Sequence, residues 1–277
     1  MEKISQWHET SLIKEDGVVT FLKKYEPDSY EIKNELSWLT SNLFSACSSF
    51  RVPRVKEASI ENGYVKMEGI DVSKTLTPTK QEMLNYLIEV AGELHSILQT
   101  HEPKMRNSAS AEEYNGYVTN FAKHRIDIVK SSVGFEKEVS DWIYDKIKTL
   151  RNKYFSIVHR DLRFRHLLFS KDNKKPTLID WEFSNISHPA QDLAKLVYDT
   201  VVNYDLEYED TVQNIVSNYS YITKQSTDEV ENNVRVFLPI MPLEHCASFL
   251  RRKPKGYEEE VSRDLAYLSS LYEEEKK

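Results

Sequence analysis

Apolar and polar residues near the start of the chain alternate in the manner of a β-hairpin. Strand-forming residues fill 8–14 and 18–25. A short polar turn separates the two runs, and Gly17 can supply the positive φ that a tight turn needs. The second run ends in two adjacent lysines, Lys23 and Lys24. Because side chains alternate between the faces of a strand, only one of these lysines can face a cleft.

The pattern after this hairpin predicts a helix and two more strands. The helix is expected over about 29–44, and the strands over 51–55 and 64–67. Together with the hairpin they would form a small domain of residues 1–68, followed by a second domain of residues 69–277. A chain of 277 residues exceeds the typical single domain and fits two linked cores. The leucines that share one stripe of the helix are Leu36, Leu39 and Leu43.

The second domain is predicted to be mainly helical. Apolar residues recur at helical spacing in two segments, near 84–98 and 139–150. The pattern changes to short strand-like runs around 157–182, and helices are expected again from about residue 189 to the end. A strand-rich small domain beside a helical large one makes this an α+β protein. The helical positions are Leu84, Leu87, Ile88, Ala91, Leu94 and Leu98, then Val139, Ile143, Ile147 and Leu150.

Composition restricts the class of partner. Hydrophobic residues make up 40% of the chain and charged residues 29%, which is ordinary for a globular protein. The net charge of −7 argues against binding to nucleic acid, since that function needs a basic surface. The same charge would suit a cationic or neutral small molecule.

Three further features predict a cytoplasmic protein without a membrane partner. The two cysteines, Cys47 and Cys246, are too few and too distant for a disulfide framework or a zinc site. The first eight residues lack the apolar core of a signal peptide. No stretch approaches the apolar length of a membrane span.

The segment 157–182 contains the residues with the clearest chemical meaning. Asp161 and Asp180 each lie beside apolar, strand-like residues, and a short basic turn at 171–174 lies between them. Phosphoryl-transfer enzymes present two carboxylates in this way. One orients the attacking hydroxyl and accepts its proton, and the other holds the magnesium ion that neutralises the phosphates.

These residues resemble the motifs of the aminoglycoside phosphotransferase and choline kinase-like family. His159-Arg160-Asp161 is similar to the catalytic loop of kinases, and 179–182 and 189–194 resemble two motifs of this family. The resemblance implies a bilobal protein kinase-like fold. It also implies an enzyme that transfers the γ-phosphoryl group of ATP or GTP, with Mg²⁺, to a hydroxyl of a small acceptor such as an antibiotic, an amino alcohol or a sugar.

The resemblance implies roles for individual residues of the catalytic segment. Asp161 would be the catalytic carboxylate, and Asp180 would hold the metal ion. Arg163 stands where protein kinases have a lysine that contacts the transferring phosphate, and a guanidinium could bind a phosphate oxygen there. Alternatives remain for two of these residues. Asp180 could instead pair with Arg160 or Arg163, and Arg163 could face water.

Four residues outside that segment are implied to bind the nucleotide. Lys23 would contact the α- and β-phosphates, and Glu35 on the following helix would pair with it. Lys24 and Glu31 are the alternatives. The run Glu68-Gly69-Ile70 resembles the hinge of a kinase-like fold, so Glu68 and Ile70 are expected beside the nucleotide base.

One position departs from the family pattern. The family has an asparagine five residues after the catalytic aspartate as a second metal ligand, and His166 occupies that position here. An imidazole suits manganese, iron or zinc better than magnesium. His166 could therefore bind Mn²⁺, pack beneath the loop, or mark a nucleotide-binding protein that has little turnover. A glycine-rich loop over the phosphates is also missing, because only Gly17 precedes Lys23.

Overall fold

The chain divides into two compact units, each built from two stretches of sequence. Unit 1 comprises Met1–Ile97 and Ser156–Ser187, and unit 2 comprises Leu98–Phe155 and His188–Lys277. The predicted division into domains at residue 68 remains a prediction. The computed structural model of the chain describes residues 2–3, 9–15, 18–70, 78–101, 111–151, 155–170 and 175–276. The predicted turns at residues 16–17 and 171–174 lie outside the described residues.

A five-stranded antiparallel sheet begins unit 1. Its strands are β1 (Glu2–Lys3), β2 (Glu9–Glu15), β3 (Val18–Lys24), β4 (Val55–Ser59) and β5 (Tyr64–Glu68). They lie in the order β1-β2-β3-β5-β4, and β2 with β3 forms the predicted hairpin. The strand predicted over 51–55 is displaced, since β4 begins only at Val55. Pro53 has no N–H to donate to a ladder, so pairing starts after it.

The first helix is shorter than predicted. The helix α1 spans Tyr30–Leu39, whereas the leucine stripe predicted an end near residue 44. The backbone N–H and the hydroxyl of Thr40 both donate to the carbonyl of Leu36, at 3.0 and 2.7 Å. A hydroxyl that competes for a helical carbonyl in this way favours an end to the helix. The next helix, α2 (Lys80–His101), carries the predicted apolar stripe.

The described residues between 156 and 187 contain two short antiparallel ribbons. In one ribbon β6 (Ser156–Val158) pairs with β9 (Asn185–Ser187), and in the other β7 (Leu167–Leu168) pairs with β8 (Thr177–Leu178). Single 3₁₀ turns cover Phe164–His166 and Trp181–Phe183. The predicted change from helix to short strands is therefore confirmed.

Two residues of this segment have an unusual backbone conformation. Arg160 has a φ of 65° and Asp180 a φ of 73°, in the left-handed region. This conformation costs free energy for residues other than glycine and persists only where surrounding contacts fix it. Such positions concentrate at functional sites.

The described residues of unit 2 form helices joined by short connections and contain no strand, in agreement with the predicted helical character. Its helices are α3 (Ala111–Val133), α4 (Lys137–Lys148), α5 (Ala190–Tyr204), α6 (Tyr208–Thr223), α7 (Thr227–Phe237), α8 (Ile240–Arg252) and α9 (Tyr257–Glu275). The helix α8 packs against α3 and α9, and α5 packs against α6 and α7. Among the described residues, no helix combines the length and the apolar character needed to cross a membrane.

Candidate active site

The strand β3 places Lys23 inside unit 1, where carboxylates surround it. Lys23 is only 6% exposed, whereas Lys24 faces solvent. Its Nζ lies 3.3 Å from Oε2 of Glu35. The same nitrogen lies 2.5 Å from Oδ1 of Asp180 and 2.7 Å from Oε2 of Glu182. Burial of an ammonium group is costly unless opposite charges accompany it, and these three carboxylates meet that condition.

Burial and the neighbouring charges shift the pKa values of the groups in this cluster in different directions. Burial alone would lower the pKa of Lys23, but the surrounding carboxylates outweigh it and raise that pKa well above its ordinary value. Burial would raise the pKa of Asp180, but the Lys23 ammonium holds it well below its usual range. At Glu35 burial dominates and raises the pKa to about 7. Lys23 and Asp180 are therefore charged at neutral pH, while Glu35 lies close to its titration point.

Glu35 lies on the buried face of α1 and is held from two further sides. Its carboxylate accepts hydrogen bonds from the hydroxyl of Tyr25 and, at 3.2 Å, from the backbone N–H of Trp181. Glu31, one helical turn earlier, is partly exposed. Of the predicted alternatives, the structure therefore brings together Lys23 and Glu35.

The loop after β6 places Asp161 and Arg163 against each other. Both side chains are buried, and Nη2 of Arg163 donates to Oδ1 of Asp161. Arg163 therefore does not face water, and the partner of Asp180 is Lys23 instead of an arginine. Beneath the loop, Nε2 of His159 lies 2.9 Å from the carbonyl of Ile179. This contact ties the loop to the residue before Asp180.

His166 presents one ring nitrogen to the carboxylates. Its Nδ1 lies 2.8 Å from the backbone carbonyl of Asp161, which can only accept, so Nδ1 donates. Burial lowers the pKa of His166 to about 4, so the ring is neutral at pH 7 and Nε2 carries a lone pair. Nε2 lies 3.3 Å from Oδ2 of Asp180 and 3.3 Å from Nε of Arg165, which donates to it.

A divalent metal ion would fit this group of side chains if it took the place of the Arg165 N–H on Nε2 of His166. Asp161, His166 and Asp180 each offer a ligand atom, and these atoms lie within 4.8 Å of one another. A histidine that donates its other nitrogen to a backbone carbonyl is the usual orientation of a metal ligand. The carboxylates of the site outnumber its cations, and such an ion would offset part of that negative charge. The carboxylates are Glu35, Asp161, Asp180 and Glu182, and the cations are Lys23 and Arg163.

An ion pair and a close backbone contact hold the predicted hinge, residues 68–70, in position. Oε2 of Glu68 accepts from Nη1 of Arg51 at 2.9 Å, and Ile70 is buried. The backbone N–H of Gly69 donates to the carbonyl of Val19 at 3.1 Å. A Cβ at residue 69 would lie 2.6 Å from Cγ1 of Val19, so only glycine fits without a shift. The contact of Glu68 and Ile70 with a nucleotide base remains a prediction.

Sequence reasoning missed Glu182 as a member of the cluster. Its carboxylate is buried beside Lys23, and Asn34 of α1 donates to the backbone carbonyls of Glu182 and Ser184 at 2.8 and 2.9 Å. The available signal was an acidic residue on each side of Trp181. This signal is weak, because the 3₁₀ turn that directs both carboxylates toward one lysine is not visible in the sequence.

Solved structures of similar fold have low sequence identity to this chain. The choline kinase LicA from Streptococcus pneumoniae has a TM-score of 0.68 at 15% identity, over 97% of this chain and 92% of that one. The macrolide 2′-phosphotransferase MphH from Brachybacterium faecium has a TM-score of 0.65 at 14% identity, over 95% and 90%. A GDP complex of wild-type aminoglycoside 2′-phosphotransferase-IIIa has a TM-score of 0.60 at 14% identity, over 98% and 91%.

These likenesses confirm the predicted protein kinase-like fold. A search of curated protein sequences gave no significant match. A sequence model described as the phosphotransferase enzyme family matches residues 7–217, which is more than half of the chain. The resemblance and the class of enzyme predicted from the sequence are thereby confirmed, and the chain belongs to the phosphotransferase enzyme family.

Proposed function

We propose that this phosphotransferase moves the γ-phosphoryl group of ATP or GTP to a hydroxyl group of a small acceptor. The observation that carries the proposal is the buried cluster in which Lys23 pairs with Glu35 and Asp180, with Asp161 and His166 beside them. Solved proteins of similar fold support it, since they include a choline kinase, a macrolide 2′-phosphotransferase and a GDP complex.

Asp161 would act on the acceptor. Its carboxylate would orient the attacking hydroxyl and take its proton while the new O–P bond forms and the bond to the nucleotide breaks. Arg163 donates to Oδ1 of this carboxylate, which fixes the orientation of the carboxylate. Arg163 would also reach an oxygen of the transferring phosphoryl group.

Lys23 would bind the nucleotide phosphates, and Glu35 would hold the ammonium group in place. Asp180 and His166 would hold the divalent ion, with Mg²⁺ and Mn²⁺ as the candidates. When bound, that ion neutralises phosphate charge. Glu68 and Ile70 would lie beside the base. The charge of −7 suits a cationic acceptor, and the cytoplasm is the proposed location.

The alternative is a nucleotide-binding protein with little turnover. Two observations favour it: His166 replaces the asparagine of the family, and three carboxylates hold Lys23 in the structure. Both proposals predict nucleotide binding. They differ in whether phosphate leaves the nucleotide when an acceptor is present.

The test is nucleotide turnover with a panel of hydroxyl compounds, each paired with an analogue that lacks the hydroxyl. The panel would include amino alcohols, sugars, aminoglycosides and macrolides, with Mg²⁺ and Mn²⁺ in separate reactions. Formation of a phosphorylated acceptor by the wild type, and its loss in Asp161→Asn, would support the kinase. Nucleotide binding without any product would favour the alternative.

A further inference from the structure

Three side chains of the helix α1 bind the turn that follows Asp180. Asn34 and Trp38 lie four residues apart and therefore share a face of the helix, and Glu35 directly follows Asn34. Each of the three forms a hydrogen bond with a backbone group of residues 181–184. The helix and the turn both belong to unit 1, although 146 to 150 positions of sequence separate the bonded residues.

The side-chain amide of Asn34 forms two of these hydrogen bonds. Its Nδ2 donates to the carbonyl of Glu182 at 2.8 Å and to the carbonyl of Ser184 at 2.9 Å. Because a carbonyl can only accept, these two partners define which end of the amide faces the turn. Nε1 of Trp38 donates to the same carbonyl of Ser184 at 3.1 Å. Glu182 and Ser184 are buried, so loss of these donors would be costly.

The turn that Asn34 holds begins at Asp180. Asp180 has a φ of 73°, and the 3₁₀ turn Trp181–Phe183 follows it. A left-handed conformation is unfavourable for an aspartate and persists where neighbouring contacts fix it. Asn34 supplies two such contacts, since it binds the backbone two and four residues after Asp180. Its amide thereby helps to fix the direction in which the carboxylate of Asp180 points.

The same helix holds the other side of the carboxylate cluster. The carboxylate of Glu35 lies 3.3 Å from Nζ of Lys23 and accepts from the backbone N–H of Trp181 at 3.2 Å. Oδ1 of Asp180 lies 2.5 Å from the same Nζ. The lysine proposed to bind phosphates and the aspartate proposed to bind the ion are therefore both held against α1, and Asn34 is an uncharged link between them.

We propose that Asn34 is a positioning residue for metal-dependent nucleotide binding. It holds the turn after Asp180 against α1, so that the carboxylate of Asp180 and the ammonium group of Lys23 keep the spacing that the ion and the phosphates require. It acts through these two residues and not by contact with the ion or the nucleotide. This role rests on the proposed function and adds to it a neutral residue that lies outside the sequence motifs of 157–194.

Calorimetric titration of Asn34→Ala tests this role, first with Mn²⁺ alone and then with ATP and with GTP in the presence of Mn²⁺. Alanine removes both donors and is a good helix former, so α1 should be retained. Binding of Mn²⁺ and of nucleotide should weaken by about tenfold or more, as expected for two lost hydrogen bonds. Trp38→Phe removes one donor to Ser184, should weaken binding less, and provides a second test if Asn34→Ala does not fold.

Hydrogen exchange of the backbone measures the local effect without any ligand. The N–H of Trp181 donates to Glu35, and the N–H of Ser184 donates to the carbonyl of Trp181 at 3.1 Å. Both groups should exchange faster in Asn34→Ala than in the wild type, because the turn opens more often. Unchanged exchange at these two positions would contradict the role of Asn34.

Two variants separate positioning from general stability. Asn34→Gln keeps an amide donor and should recover part of the affinity for Mn²⁺, whereas Asn85→Ala, at an exposed asparagine of α2, should bind like the wild type. A residue that only stabilises the fold would lower the melting temperature and leave the affinities unchanged. Equal affinities in Asn34→Ala and the wild type would therefore overturn the positioning role alone. Absence of Mn²⁺ and nucleotide binding in the wild type would contradict the proposed function, and the positioning role with it.

Discussion

The charged residues of the candidate active site lie close together because each buried charge needs an opposite charge beside it. A lysine could be predicted from the pair at the end of the strand, and a glutamate partner from the next helix, with Lys23 and Glu35 as the first candidates. The choice between Lys23 and Lys24 could not be made from the sequence, because the phase of the strand relative to the interior depends on pairing with β5. Glu182 could not be predicted either, since its direction follows from the backbone turn that begins at Asp180.

Substitution of Asp161 and substitution of Asp180 should impair different properties of the enzyme. Asp161→Asn should keep nucleotide binding and lower turnover by about 100-fold or more, because the amide cannot take the proton of the hydroxyl. Asp180→Asn should instead weaken metal-dependent nucleotide binding. Steady-state kinetics and calorimetry would separate these effects. Asp141→Asn is a matched control, since that carboxylate forms an ion pair with Lys137 on the surface of α4.

Turnover within twofold of the wild type in Asp161→Asn would contradict the role assigned to this residue. Equal effects of both substitutions on binding and turnover would contradict the division of roles.

His166 should set the preference among metal ions. If Nε2 binds the ion, Mn²⁺ should support activity better than Mg²⁺, because nitrogen ligands favour later divalent metals. His166→Asn should then raise the activity with Mg²⁺ and reduce the preference for Mn²⁺. Activity measured with each ion across a concentration series would check this. Unchanged rates and preference in His166→Asn would show that the ring only packs beneath the loop.

Glu35 should make the free energy of unfolding depend measurably on pH. Its pKa is about 7 in the folded state and 4.5 in the reference state, so the folded protein holds the extra proton between these values. The free energy of unfolding should therefore fall as the pH rises from about 4.5 to about 7, by at most roughly 1.4 kcal/mol per pH unit for one proton. Above pH 7 this contribution should level off.

Denaturant unfolding at several pH values would measure this slope. Glu35→Gln cannot titrate and should have a flatter profile between pH 5 and pH 7, while Glu31→Gln on the same helix should resemble the wild type. An unchanged slope in Glu35→Gln would assign the effect to another group.

At the level of secondary structure, the elements were predictable and several boundaries were not. Alternation and helical spacing identify the hairpin, α1, α2 and α4, because each buries one regular face. The end of α1 depends on hydrogen bonds of Thr40, and the start of β4 depends on Pro53. The 3₁₀ turns and the left-handed residues Arg160 and Asp180 have no periodic signal, so they could not be predicted.

Two glycines should prove essential for the sheet, and a third provides the control. A Cβ at Gly69 would meet Val19 at 2.6 Å, and a Cβ at Gly63, whose φ is +63°, would meet the carbonyl of Tyr25 at 2.4 Å. Alanine at either position should lower the free energy of unfolding by about 1 kcal/mol or more. A Cβ at Gly116 on α3 would meet no described atom within 4 Å apart from the neighbouring backbone of its own helix, so Gly116→Ala should raise stability by about 0.5–1 kcal/mol. Denaturant unfolding of the three variants would measure the differences, and equal effects at all three positions would contradict this explanation.

At the scale of the whole molecule, the family motifs between residues 157 and 194 made the fold and the class of enzyme predictable at once. They were sufficient because motifs that resemble a catalytic loop, a strand end with an aspartate and the start of the following helix occur together in one order. The acceptor was not predictable, since recognition of a small molecule depends on side chains from several helices without a shared motif.

The central claim is that the cluster around Lys23 binds a nucleotide together with a divalent ion. Calorimetric titration of ATP and of GTP, each with Mg²⁺, with Mn²⁺ and without metal, tests it most directly, with thermal unfolding as a second readout. We predict binding of at least one nucleotide that requires the ion and that is lost in Lys23→Met and Asp180→Asn. At 100 times its dissociation constant, the nucleotide should stabilise the fold by about 2.7 kcal/mol. Absence of both heat and stabilisation with either nucleotide and either ion would contradict the claim.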